Sequence, residues 1–121
     1  MTPTTGILIR PSGSTTERTF DSDEAAARIL HGDEADLTVI SGGPTELTGC
    51  EGSLLLGRTA SSPGREKLDL NPIATALCGE KLYGPVLLIG DENGDTASVK
   101  GAADTAQFIR RALRRICIDG N

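Results

Sequence analysis

The sequence predicts an α+β fold in which a small, mostly antiparallel sheet has two or three helices packed on one side. Three observations predict it. Short β-friendly runs alternate with turn-forming residues, a short helix and an apolar strand stand between clear start and stop signals at 71–90, and an amphipathic helix comes last. The predicted order of elements is ββα, ββ, α, β(β), α. With 121 residues, positions 1–121 are expected to form a single domain.

Short apolar or alternating runs predict the strands of the sheet. Turn formers at Pro11–Ser14 join the first two, and the pair Asn93-Gly94 is a strong signal for a two-residue hairpin near the end. Within residues 41–67 only one strand has a clear pattern. The predicted strands are Gly6–Arg10, Thr15–Phe20, Asp36–Ile40, Ser53–Arg58, Val86–Ile89 and Thr96–Val99.

Residues 71–90 are predicted to contain a helix and a strand, each with clear start and stop residues. Asn71 is a good N-cap, Pro72 suits the first helical position, and Gly79 can adopt the left-handed conformation that ends a helix. The apolar strand that follows is bounded by Gly84 and Gly90. Asn71, Pro72, Gly79 and Gly84 form a candidate structural motif.

Two further helices are expected. Asp21 stands three residues before Glu24, the spacing of a capping box, so the first helix is predicted to begin there and to end near Gly32. The last helix has an apolar stripe formed by Ala106, Ile109, Ala112, Leu113 and Ile116. Its opposite face carries Gln107, Arg110, Arg111, Arg114 and Arg115.

Both chain ends, residues 1–5 and 118–121, are expected to be flexible.

Charge and aromatic content restrict the classes of partner. The formal net charge is −5, which repels a polyanion at long range and argues against a surface devoted to nucleic acid. Residues 17–51 hold nine acidic residues and two arginines, whereas residues 100–115 hold five basic residues and one Asp. One Tyr, two Phe and no Trp leave few side chains that stack on bases.

Cysteine usage and hydropathy predict a cytoplasmic protein without a membrane partner. The first residues lack the basic and apolar regions of a signal peptide, and no apolar run approaches the ~20 residues that span a bilayer. Cys50, Cys78 and Cys117 are odd in number and widely spaced, unlike a disulfide framework or a Cys-x-x-Cys zinc site. We expect Cys78 and Cys117 to be buried thiols on helices.

The sequence predicts no catalytic residue, metal or cofactor. His31, the single histidine, lies at the end of the first predicted helix, where a cation is favourable, and no Gly-x-Ser-x-Gly motif accompanies it. The acidic run at residues 91–95 resembles a calcium loop but has Ile89 and Lys100 where carboxylates are needed. The glycines at residues 42–57 lack the spacing of a phosphate-binding loop.

Two features are candidate binding sites. Arg110, Arg111, Arg114 and Arg115 form a dense basic flank, which suits a partner or, alternatively, a solvated face near a helix C-terminus. Asn71 either caps its helix or presents its amide to an anion at the helix N-terminus. The sequence leaves both pairs of alternatives open.

Residues 6–90 resemble a family of small prokaryotic and phage proteins, the domain of unknown function 3846. The matching pieces are Ile7–Arg10, Glu17–Phe20, Leu37–Ile40, Asn71–Leu77 and Gly84–Gly90. Residues 41–67 depart from the family's pattern. The resemblance implies a hairpin and helix, a pair of strands, an Asn-Pro helix and a glycine-bounded strand. It also implies a place in phage and plasmid accessory regions, and it carries no catalytic residues.

The leading hypothesis is a non-enzymatic, protein-binding accessory module of a phage or mobile element, which regulates a host protein or counters host defence. A nucleic-acid-associated accessory protein that uses the C-terminal arginines is one alternative. A hydrolytic enzyme, with carboxylates that only folding brings together, is the other. The expected partner is a host protein, and the oligomeric state is not indicated.

Overall fold

The computed structural model describes residues 3–30, 37–41, 48–62 and 67–101, together with Gln107 and Ile109. Six strands and two helices lie within these ranges. In chain order they are β1 Thr4–Ile9, β2 Thr15–Phe20, α1 Asp23–Ile29, β3 Thr38–Ser41, β4 Gly52–Arg58, α2 Pro72–Cys78, β5 Tyr83–Glu92 and β6 Asp95–Ala97. Gln107 and Ile109 are also helical, and the Ile109 side chain is buried.

The strand pairs formed by the described residues are all antiparallel, which confirms the predicted α+β class with a mostly antiparallel sheet. The strands lie in the order β2-β1-β5-β4-β3, and β6 pairs with β5. Strand β5 is central because it pairs with β1 at Val86–Leu88, with β4 along most of its length, and with β6 at Gly90–Glu92. Residues 86–89 are buried, as expected for a strand that is covered on both faces.

The core is divided into two clusters by the sheet, because neighbouring residues of a strand point to opposite faces. One face, here called the α2 face, buries Ile7, Ile9, Leu55, Ile73, Ala74, Leu82, Val86, Leu88, Val99 and Ile109. The other, the α1 face, buries Leu8, Phe20, Ala26, Leu30, Leu87 and Ile89. The two helices therefore lie on opposite faces, whereas the sequence pattern predicts that they pack on one side. The reason is that β1 and β5 are apolar at consecutive positions, so both faces need cover.

Helix α1 begins later than predicted. Its N-cap is Ser22, whose Oγ accepts a hydrogen bond from the Ala25 N–H at 3.0 Å, so the predicted start at Asp21 is wrong. Ser and Asp are equally good caps, and the local sequence offers both. The helix ends at Ile29 rather than near Gly32, which lies outside the described residues.

Strand β2 has its predicted bounds, while β1 begins earlier. Thr4 and Thr5, which are predicted to belong to a flexible end, pair with Phe20 and Thr19 of β2. The Val99 N–H donates to the Thr5 carbonyl oxygen at 2.9 Å, so the chain after β6 also holds this end of β1.

The glycines predicted to bound the fifth strand lie within it. Gly84 has a φ of +72°, which favours glycine, and its N–H donates to the Asp69 carbonyl oxygen at 2.8 Å. At Gly90 a Cβ would collide with Cys50 Sγ, so glycine permits a close approach there. The predicted Asn93-Gly94 turn is confirmed, since it joins β5 to β6.

Helix α2 has the start and stop residues that the sequence assigns to it. Asn71 is the N-cap, with its Oδ1 accepting from the Ala74 N–H at 3.2 Å, and Pro72 opens the helix. Gly79 takes the left-handed conformation with φ +81°, and its N–H donates to the Thr75 carbonyl oxygen.

Asn71 also connects α2 to two strands. Its side chain is fully buried, and its amide nitrogen donates to the Ile9 carbonyl oxygen of β1 and to the Gly84 carbonyl oxygen of β5, each at 2.9 Å. These contacts lie where the ladder between β1 and β5 ends, with Ile9 opposite Val86. Both N–H groups of the amide are used inside the protein, which leaves neither for an anion.

Substitution of Asn71 tests this junction. We expect Asn71→Ala to lower the free energy of unfolding by about 2–4 kcal/mol, because it removes a helix cap and deprives two buried carbonyl groups of a donor. Asn71→Asp keeps the cap acceptor but brings a carboxylate oxygen against two carbonyl oxygens, and we expect a loss at least as large. Equilibrium denaturation in urea measures both.

A side chain that only capped the helix would tolerate aspartate, because Asp and Asn are equally good N-caps. An Asn71→Asp protein as stable as the wild type would therefore contradict the junction. Pro72→Ala is the matched control, since it changes the same helical turn without touching the three side-chain hydrogen bonds of Asn71.

Candidate functional site

Helix α1 is too short to cover the α1 face. Its seven residues rise only about 10 Å, and it packs on the sheet through buried Ala26, next to Phe20. Leu54 and Leu56 of β4 remain half-buried on the same face. Two concave surfaces result, one beside the N-terminal half of α1 and one beside its C-terminal end.

The first surface, here called the apolar groove, has a volume of about 320 Å³. It runs between α1 and the edge strand β3. Val39 of β3 is 58% exposed, and it lies opposite Leu56 on the neighbouring strand. The groove is lined by Phe20, Asp23, Ala26, Leu37, Val39, Leu54, Leu56, Ile89 and Thr96.

The apolar groove has an acidic border. Asp23 lines it at the N-terminus of α1, and neither Lys nor Arg is among the lining residues that the structure describes. Asp91 follows Ile89 by two residues, so both side chains lie on the α1 face, and Asp91 pairs with Thr96 of the lining. Asp91 Oδ1 is shielded from solvent and has no hydrogen-bond partner among the residues that the structure describes. Asp23, which lines the groove itself, therefore suits a ligand that carries a cationic donor.

The second surface, here called the basic pocket, brings together three arginines from three elements. Arg10 follows β1, Arg18 belongs to β2 and Arg28 lies in the last turn of α1. The pocket has a volume of about 280 Å³. It is lined by Leu8, Arg10, Pro11, Arg18, Arg28, Ile29 and Pro85.

Strand alternation and hydroxyl contacts orient two of these arginines. Arg10 Nη1 donates to Ser14 Oγ at 3.3 Å and to Thr16 Oγ1 at 3.1 Å, so this guanidinium is held against the hairpin. Arg18 lies two residues after Thr16 and thus on the same face of β2. Glu17 belongs to the opposite face, and none of the described residues that line the pocket is a carboxylate.

The charges of the basic pocket are not neutralised within the described ranges. The single ion pair there joins Lys100 Nζ to Glu92 Oε1 at 3.1 Å, near the other end of β5. Among the same residues, the side chains of Arg18 and Arg28 form no hydrogen bond or ion pair. Glu24 stands one helical turn before Arg28 but is not within ion-pair distance of it.

The residues singled out in the sequence lie elsewhere. Asn71, Pro72, Gly79 and Gly84 belong to α2 and the start of β5, where they hold the fold together. Arg110, Arg111, Arg114 and Arg115 lie outside the described residues, as does His31, so their roles stay predictions.

The cysteines differ from the prediction. Cys78, expected to be buried, is only half-buried because it is the last residue of α2, whereas Cys50 is buried. Burial raises the pKa of the Cys50 thiol, and the nearby carboxylate of Glu92 raises it further. Cys50 Sγ lies 3.4 Å from the Ser98 carbonyl oxygen. Cys117 lies outside the described residues.

The described residues provide neither a metal-ligating cluster nor a membrane-spanning helix. Across residues 3–30, 37–41, 48–62 and 67–101, no three His, Cys, Asp or Glu side chains are grouped so that they could hold a metal ion. Among the helices of the described part, none has the length and apolar character needed to cross a membrane.

Sequence reasoning missed the convergence of Arg10, Arg18 and Arg28. The sequence contains a signal for two of them. Arg10 lies two residues after Leu8, and Arg18 lies two residues before Phe20, so the predicted hairpin places both arginines on the same face as Leu8 and Phe20. The third arginine depends on where α1 packs, which the local pattern does not encode.

The sequence matches no protein-family model and no curated protein. A solved structure, the crystal structure of the small RNA methyltransferase HEN1, aligns with a TM-score of 0.65 at 12% sequence identity. The alignment covers 89% of this chain but only 16% of that chain. At this identity the similarity shows a shared fold and nothing about activity.

The cysteine assignment gives a measurable order of reactivity. We expect a thiol reagent to modify Cys78 well before Cys50, because Cys50 is buried and its raised pKa lowers the fraction of reactive thiolate. Alkylation for increasing times, followed by mass spectrometry of the two cysteine peptides, measures the order. Equal rates, or faster modification of Cys50, would contradict the packing of Cys50 against Gly90.

Proposed function

We propose that this chain is a non-enzymatic protein-binding module. Its apolar groove receives an extended partner segment that carries a bulky apolar side chain next to Lys or Arg. The observation that supports this proposal is an apolar groove that has an acidic border and an exposed valine on the adjacent edge strand.

The floor of the groove supplies the affinity. Half-buried Leu54 and Leu56, together with exposed Val39, form a contiguous apolar surface, and such surfaces mark interaction sites on soluble domains. A Leu, Ile or Phe side chain that becomes buried there contributes about 1.5–3 kcal/mol. A volume of about 320 Å³ suits one or two such side chains.

The border of the groove selects the charge of the partner. Asp23 is acidic, the described residues of the lining include no cation, and the chain as a whole carries a net charge of −5. A basic segment is therefore steered toward the groove and gains a charge-assisted hydrogen bond at its acidic end.

Strand β3 supports an extended partner. It stands at the end of the strand order and has four residues, of which Thr38, Val39 and Ser41 are exposed. An edge strand offers unpaired backbone groups to an added strand, and alternate side chains of that strand then face the groove.

The resemblance to the domain of unknown function 3846 supports the same class of function. We propose that the chain is a member of that family, encoded by a phage or mobile element, and that its partner is a host protein in the cytoplasm. The Asn-Pro helix and the glycine-containing strand that follows it, at Asn71–Leu77 and Gly84–Gly90, support this assignment.

Selection of peptides from a random display library tests the proposal. We expect the wild-type chain to enrich peptides with a bulky apolar residue beside Lys or Arg. Val39→Lys removes an apolar contact and adds a repelling cation, so we expect the purified peptides to bind about tenfold more weakly or worse. Fluorescence anisotropy of labelled peptides measures the affinities.

Thr19→Lys is the matched control, because it introduces the same charge at an exposed position of β2, away from the groove. The control should bind the peptides as the wild type does. Peptides without an apolar-basic pattern, or peptides that bind Val39→Lys and the wild type equally, would overturn the proposal.

A further inference from the structure

We propose that the basic pocket is a binding site for the phosphate group of a small organic phosphate. Three arginines from β1, β2 and α1 line a single concavity of about 280 Å³, and none of its described lining residues is a carboxylate. Among the residues that the structure describes, the site and the apolar groove share no lining residue, so the inference is independent of the proposed function.

The local charge is opposite to that of the chain. The protein carries a net charge of −5, yet Arg10, Arg18 and Arg28 face one pocket, and within the described residues Arg18 and Arg28 have no partner. Like charges that share a concavity repel one another, which costs stability unless an anion is bound. Two of the arginines have a structural role. Arg10 forms hydrogen bonds that stabilise the hairpin, and the positive charge of Arg28 is favourable at a helix C-terminus. Neither role explains Arg18.

The chemistry of the guanidinium group selects phosphate. Arginine presents a planar fork of donors that matches two oxygens of a phosphate or carboxylate. A carboxylate has one charge and satisfies one such fork, whereas a phosphate monoester has a charge of about −1.5 to −2 at neutral pH and three acceptor oxygens. Three convergent arginines therefore favour the monoester.

The rest of the lining indicates a small molecule with an apolar body. Leu8, Pro11, Ile29 and Pro85 form an apolar wall beside the arginines, which strengthens electrostatic attraction and accommodates carbon atoms. The volume of about 280 Å³ lies just below the roughly 300 Å³ at which ligand pockets begin, which limits the ligand to a small molecule. The described lining includes no aromatic side chain that could stack on the bases of a nucleic acid.

Titration of the full chain with phenyl phosphate, at about 150 mM NaCl to screen non-specific attraction, tests the inference. We expect saturable shifts of the Arg18 and Arg28 Nε–Hε resonances, and tighter binding of phenyl phosphate than of inorganic phosphate because of the apolar wall. Arg18→Gln and Arg28→Gln should each weaken binding about tenfold or more, as expected for a lost hydrogen bond to a charged group.

Lys100→Gln is the control for net charge, because it removes one cation near the far end of β5 from the pocket. Its affinity should equal that of the wild type. Equal weakening in all three variants would reveal non-specific attraction and overturn the inference, as would the absence of saturable binding. A single-stranded oligonucleotide that binds more tightly than phenyl phosphate, and loses affinity in the Arg18 and Arg28 variants, would overturn the small-molecule assignment.

Discussion

The fold depends on one buried side-chain amide. Asn71 joins the end of β1, the start of β5 and the first turn of α2 through three hydrogen bonds within an apolar surrounding. A buried polar group is tolerated only when it is hydrogen-bonded. The Asn71 side chain therefore favours the one arrangement of these three elements in which all three of its hydrogen bonds form. The residues that accept its N–H groups, Ile9 and Gly84, directly precede Arg10 and Pro85 of the basic pocket. The junction on the α2 face thus fixes the backbone beneath a candidate site on the α1 face.

The second constraint is the mismatch between a sheet that is apolar on both faces and a helix of seven residues. The α2 face is filled by α2 and by Ile109, whereas α1 covers only part of the other face. Val39, Leu54 and Leu56 consequently remain available, and the C-terminal end of α1 leaves a space in which arginines of β1 and β2 meet Arg28. Both candidate sites therefore arise from the same short helix, and they differ in charge because its ends face different parts of the sheet.

Local rules predicted much of this fold. The bounds of β2, the Asn93-Gly94 turn and the Asn71 and Gly79 caps each depend on residues close in sequence. The sequence did not predict what depends on distant partners. Asn71 contacts Ile9 across 62 positions, and no local pattern encodes that bond. The basic pocket was missed for the same reason, because alternation relates Arg10 and Arg18 within a hairpin but does not place Arg28 beside them. The C-terminal arginines were predicted as a candidate binding site instead, because they are close together in sequence.

The most direct test of the central claim is hydrogen exchange of the Asn71 side-chain amide, followed by NMR. Its two N–H groups are buried and both donate to backbone carbonyl groups, whereas the side chain of Asn93 is at an exposed turn and serves as an internal reference. We predict two separate Asn71 resonances that exchange much more slowly than those of Asn93, because exchange requires the junction to open. Exchange of Asn71 as fast as that of Asn93 would contradict this prediction.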